Sequence, residues 1–102
     1  MPTSFVVVPP AMFRTKEYLI RLNHIFSLHP DIETTQIAIA TGCRFEDAKQ
    51  LFEFLIRAGY GRRIQRTYNR KYGPVDVFVP HLPITFVAEI AARKQFAQEG
   101  KR

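Results

Sequence analysis

At Gly59-Tyr60 the hydrophobic period of the chain changes from helical to extended, and this switch constrains the fold more than any other feature. Before it, Phe45, Ala48, Leu51, Phe52, Leu55 and Ile56 form a continuous apolar arc at helical spacing. Arg44, Glu46, Lys49, Gln50, Glu53 and Arg57 occupy or flank the opposite side. After it, Tyr60 to Tyr68 and Val75 to Val79 read as two strands, joined by Asn69-Arg70-Lys71-Tyr72-Gly73-Pro74. Ile64 alternates with basic residues in the first strand, and Val75, Val77 and Val79 line one face of the second. That pattern predicts a hairpin with one wet face. The expected fold class is α+β, mostly helical.

Upstream, the spacing predicts a helix from about Thr15 to Leu28, capped by Thr15 and burying Tyr18, Leu19, Leu22, Ile25 and Phe26. His29-Pro30 ends it, because the residue before proline avoids the helical region. Asp31-Ile32-Glu33 is a short link or small strand. Thr34 or Thr35 is expected to cap a short helix through Ile37, Ala38 and Ala40, broken by Gly42. A third helix then runs from Arg44 or Phe45 to Gly59. At the amino end, Phe5-Val6-Val7-Val8 favours a strand that Pro9-Pro10 terminates, and its exposed edge needs a partner in this chain or in a second copy. At the other end, Ile84 to Gln98 is expected to be a helix with two apolar stripes, Phe86, Val87 and Ile90 on one and Ala88, Ala92 and Phe96 on another.

A chain of 102 residues has room for one domain, divided here into an arm at 1–13, a central unit at 14–80 and a terminal helical segment at 81–102. The lone Cys43 excludes an internal disulfide and reads as a small buried side chain. The apolar run at Phe5 to Val8 is too short for a signal peptide or a membrane span, so a cytoplasmic setting is expected, associated with the nucleoid if the cell is prokaryotic. His24, His29 and His81 lie far apart and no Cys/His spacing suggests a metal. With no nucleophile–base pair, paired acids or glycine-rich phosphate loop, neither catalysis nor a cofactor is expected.

The net charge of +6 matters for where it sits. Between Arg62 and Lys71 stand five cations, Arg62, Arg63, Arg66, Arg70 and Lys71, with no acid among them. Tyr68 and Tyr72 are interleaved and can donate to phosphate or stack. The third helix is more mixed, since Glu46, Asp47 and Glu53 outnumber Lys49. Arg44, Lys49 and Gln50 retain the chemistry to read base edges, Arg and Lys suiting guanine and Gln adenine.

Thr34 to Leu51 resembles a helix-turn-helix. Ala38 is the small residue between its helices, Gly42 takes the left-handed turn, and Ile37, Cys43, Ala48 and Leu51 stand at its buried positions. Leu51 to Tyr60, followed by Gly61-Arg62-Arg63, is similar to the exit into the wing of winged-helix regulators. Thr41 departs from the pattern, standing where an apolar residue is usual. The resemblance, covering about Thr15 to Val79, is to the winged helix-turn-helix superfamily. It implies a three-helix core with a β-hairpin wing, a third helix in the major groove of double-stranded DNA, and wing contacts to the backbone or minor groove. The expectation is a non-enzymatic, dimeric transcriptional regulator, each wing arginine being worth about one unit of salt slope. Surplus apolar surface at Phe86, Ile90 and Phe96, with Phe54, is expected to form a homodimer interface. Half-sites would then lie roughly 34 Å apart. The rival readings are a protein-interaction adaptor within a larger assembly, working through the third helix, and a single-strand or RNA binder that stacks bases on Tyr68 and Tyr72.

Overall fold

Thr15 fixes where the first long helix begins: its backbone is extended and its side chain accepts from the Tyr18 N–H at 3.3 Å. In the computed structural model, which describes residues 3–90, α1 spans Lys16–Leu28 and stops at His29, held extended ahead of Pro30. Two strand residues, β2 (Ile32–Glu33), then lead straight into α2 (Thr34–Thr41). The cap of α2 is Glu33, not Thr34 or Thr35. Because the strand keeps Glu33 extended, its carboxylate accepts from the first turn while its own N–H donates to Gln36 Oε1 at 2.8 Å. Gly42 closes α2 at φ 77°, a left-handed conformation that only glycine adopts cheaply. The third helix, α3 (Phe45–Arg57), leads through Gly59, also left-handed, into the hairpin β3 (Gly61–Thr67) and β4 (Pro74–Pro80).

Strands β2, β4 and β3 make an antiparallel sheet in that order, with Ile32 opposite Phe78 and Ile64 opposite Val77. Phe78 enters the helical core, its ring 6.1 Å from Phe52 and 6.4 Å from Phe26, beside buried Leu22, Ile37, Leu51 and Leu55. The valine face is covered as expected, with Val77 buried and Val75 and Val79 half-covered, but the opposite face is not simply wet, since Phe78 on it is fully buried. Phe45, expected on the apolar arc of α3, is instead exposed, because as the first helical residue it lies beyond the packed face.

The helix expected from Ile84 is replaced at its start by a strand, β5 (Ile84–Phe86), which pairs in parallel with β1 (Phe5–Val7). Phe5 N–H donates to Pro83 O at 2.8 Å and Val87 N–H to Val7 O at 2.9 Å, so each end of the pair is closed. Ile84 and Phe86 point inward and Thr85 outward, the alternation of a half-buried strand. Asn23 of α1 holds the other edge, with Nδ2 donating to Phe86 O at 2.9 Å and Oδ1 accepting from Phe86 N–H at 2.6 Å. Phe86 is 2% exposed and packs edge-on to Phe26, so it belongs to the core and not to a dimer interface. Ile90 is partly exposed beyond the strand, and Phe96 lies outside the described residues. Val7 and Phe13 of the amino-terminal segment join the same core. Over the described residues the result is a small α+β domain of three α-helices and a three-stranded antiparallel sheet, with a two-stranded parallel pair. No helix among the described residues is long and apolar enough to cross a membrane.

Candidate nucleic-acid interface

The turn between β3 and β4 is organised by Asn69. Its carbonyl accepts from the N–H groups of Tyr72 and Gly73 at 3.1 and 3.2 Å, and its side chain accepts from Lys71 N–H at 2.8 Å. Gly73 supplies the left-handed residue that lets β4 start. With its backbone satisfied internally, the tip offers side chains to solvent: Tyr68 and Tyr72 are exposed, 61% and 75%, and Arg70 and Lys71 stand beside them. Lys71 Nζ lies 5.8 Å from the centre of the Tyr72 ring.

The five hairpin cations divide into two groups. Arg63 pairs with Glu53 of α3, lies 3.8 Å from Asp76 and covers the Phe52 ring at 5.3 Å. Arg66 pairs with Asp31, ahead of β2, at 2.5 Å. A hydrogen bond with Tyr68, and then the one with Asp31, raises the Arg66 guanidinium above its ordinary pKa. Arg62, Arg70 and Lys71 meet no carboxylate among the described residues. The run from Arg62 to Lys71 is therefore free of acids in sequence but not in space. Its register explains why. Arg63 and Gln65 stand opposite Phe78 and Asp76, on the side of the sheet that meets α3, and Arg66 on the other side meets Asp31.

On α3, Arg44 precedes the helix and is bound by Asp47, Nε to Oδ2 at 3.1 Å, which together with Glu46 raises its pKa. Lys49 and Gln50 are exposed. They share a shallow depression with Glu46, Glu53, Phe54 and Arg57, in which two acids balance two bases. A second groove separates α3 from the hairpin, with Thr35, Phe45 and Lys49 on one wall and Gln65 and Val75 on the other.

The structure thus gathers Tyr68, Arg70, Lys71 and Tyr72 at one tip and places Arg62 at the hairpin base. It gives Arg63 and Arg66 to intramolecular partners and leaves Lys49 and Gln50 on a separate helix face. The sequence reading missed Asp31, Glu53 and Asp76 as partners, and Asn69 as organiser of the turn. Only Asn69 carried a local signal, an asparagine four residues before a glycine. Cys43 is half-buried beside buried Thr41, whose hydroxyl donates to Ile37 O at 2.7 Å and accepts from Cys43 N–H at 3.3 Å. Among the described residues no cluster of three or more His, Cys, Asp or Glu could hold a metal. Comparison of the chain with family models, curated proteins and solved structures found no match to any of them.

Proposed function

We propose that this chain is a winged helix-turn-helix protein that binds double-stranded DNA and catalyses no reaction, with the β3–β4 hairpin as its wing and the wing tip as its principal phosphate contact. The order of helix, short strand, two helices and hairpin, with β2 on the far side of β4 from β3, supports this reading. The observation that carries it is the tip itself: a turn closed by its own hydrogen bonds, bearing between two exposed tyrosines two cations that pair with no carboxylate among the described residues. Such a projection suits a polyanion, because each ion pair it makes releases counterions at no cost in broken internal pairs. Arg62 extends the contact along the wing. A regulator of transcription in a cytoplasmic setting is the role that goes with it.

Base readout is the lesser part of this reading. Arg44 is already bound by Asp47, and Lys49 and Gln50 share their surface with two carboxylates that phosphates repel. The balanced charge on α3 favours a second role for that helix, facing protein.

The test is fluorescence anisotropy with a random-sequence duplex between about 50 and 200 mM salt. Replacing both tip cations, Arg70→Ala with Lys71→Ala, should lower the salt slope by roughly 1.8 units, at about 0.9 per phosphate contact. The pair Arg63→Ala with Arg66→Ala should lower it by less than about one unit, since Glu53 and Asp31 already neutralise those guanidinium groups. A wild-type chain that ignores duplex at low salt, or a tip variant that binds as well as wild type, refutes the reading. Preference for a single-stranded competitor would transfer the tyrosines to base stacking.

A further inference from the structure

The outer face of α3 carries charge that the described residues use only at Glu53, one of whose oxygens is taken by Arg63. Glu46, Lys49 and Arg57 form no ion pair among the described residues, although Lys49 and Glu53 are four apart on one helix. Positions 46, 50, 53 and 57 recur at intervals of four, three and four, which places Glu46, Gln50, Glu53 and Arg57 on one stripe. Lys49 and Phe54 flank it, and all six residues line the same shallow depression.

The order of these groups reads as its own complement when reversed. In an antiparallel pair of α3 helices related by a two-fold axis near Leu51-Phe52, Glu46 meets the second copy's Arg57, and Gln50 meets its Glu53. Lys49 then lies beside the second copy's Phe54 and Glu53, its stem on the ring and its ammonium at the carboxylate. A parallel pairing would set Glu46 on Glu46 and Arg57 on Arg57. A uniformly acidic or basic partner, DNA included, would meet as much repulsion as attraction.

We infer that this face is a homodimer interface, through which α3 of one chain packs antiparallel on α3 of a second. The inference does not rest on wing binding to DNA, and it takes the place of the interface expected around Phe86. A dimer through this face covers Lys49 and Gln50 and so excludes base readout by them. A two-fold axis makes each complementary contact twice, so the two matches along the stripe give four interhelical contacts, two Glu46–Arg57 ion pairs and two Gln50–Glu53 hydrogen bonds. The helix has 13 residues, about 20 Å of length, so it buries less than the roughly 800 Å² per partner of a standard interface. The dimer is accordingly weak, with a dissociation constant in the micromolar range or above.

Sedimentation equilibrium on the full chain tests this, at concentrations up to about 1 mM. The wild-type mass should climb toward that of two chains. Glu46→Arg and Arg57→Glu should each weaken self-association at least about tenfold, because like charges then face each other across the axis. An equimolar mixture of the two variants should dimerise again, since one offers cations at both ends of the stripe and the other acids. If either variant loses its helical circular dichroism, Glu46→Gln and Arg57→Gln carry the test and should weaken association by a smaller factor. A wild-type chain that stays monomeric throughout overturns the inference. So do single variants that associate as wild type does, or a mixture that stays monomeric.

Discussion

Replacing Asn23 by leucine separates a strand at Ile84–Phe86 from a helix there. In the structure Asn23 satisfies both backbone groups of Phe86, donating to its carbonyl at 2.9 Å and accepting from its N–H at 2.6 Å. Leucine has the same branched skeleton of four side-chain heavy atoms, though its methyl groups are bulkier, and it removes both partners. A buried backbone group left unpaired costs about 1–3 kcal/mol, so the two groups together should cost roughly 2–6 kcal/mol, toward the lower end because both bonds are only partly buried. At about 4–8 °C per kcal/mol for a domain of this size, even the lower figure moves the melting temperature by about 8–16 °C. Asn23→Asp should be destabilising as well, because it keeps the acceptor for Phe86 N–H but turns an oxygen toward Phe86 O. Urea denaturation gives the free energy, and amide exchange at Phe86 and Val87 reports whether β5 loosens before the rest unfolds. If residues 84–86 were helical, Asn23 would have no such partners and both variants would fall within about 0.5 kcal/mol of wild type. That result would refute the placement of β5.

Two other changes probe positions where packing dictates the residue. At Gly61 an added Cβ would lie 2.4 Å from Val79 O and 2.6 Å from the Phe78 ring, so Gly61→Ala should cost about 1–3 kcal/mol or more in thermal melts. Thr41→Val should cost about 1–2 kcal/mol by urea denaturation, through loss of the acceptor for Cys43 N–H at the turn between α2 and α3.

Thr41 illustrates which parts of this fold are legible in the sequence. As a polar residue at an apolar position it looks like a departure, yet its methyl is buried while its hydroxyl bonds Ile37 O and Cys43 N–H. Short-range signals translate well. Gly42 and Gly59 mark left-handed turns, Thr15 and Pro30 bound α1, and the change of period at Tyr60 announces the hairpin. Long-range pairings do not. Ile84-Thr85-Phe86 takes strand form because β1, near the opposite end of the chain, lies beside it, and no local pattern encodes that neighbour. Apolar residues at 84, 86, 87 and 90 fit a helical stripe as well as a strand, so periodicity alone misassigns them. The same distance effect hides the acids. Glu53 is ten residues from Arg63, and Asp31 farther still from Arg66, so a window that holds only cations still yields two ion pairs after folding.

The face of the hairpin and the distance from the helical body together decide which cation remains available, since Arg62 at the base meets no carboxylate among the described residues while Arg63 beside it does. Arg63 lies low on β3, over Phe52 and within reach of the acid-bearing helix α3, and its guanidinium is held there by aromatic and carboxylate together. Arg66 is caught on the opposite side of the sheet by the link between α1 and α2. Beyond Thr67 the hairpin outruns both, and among the described residues Arg70 and Lys71 meet no carboxylate and stand beside Tyr68 and Tyr72. The two inner pairs brace the hairpin against α3 and β2, which limits how freely the tip can swing and so reduces the entropy lost when it binds. The paired charge of Arg63 and Arg66 serves the orientation of the wing, and the charge at its end, with Arg62, serves the partner. For such a division, neutralising the inner arginines should loosen the wing more than it weakens attraction to a polyanion, the reverse of what a count of cations along the sequence suggests.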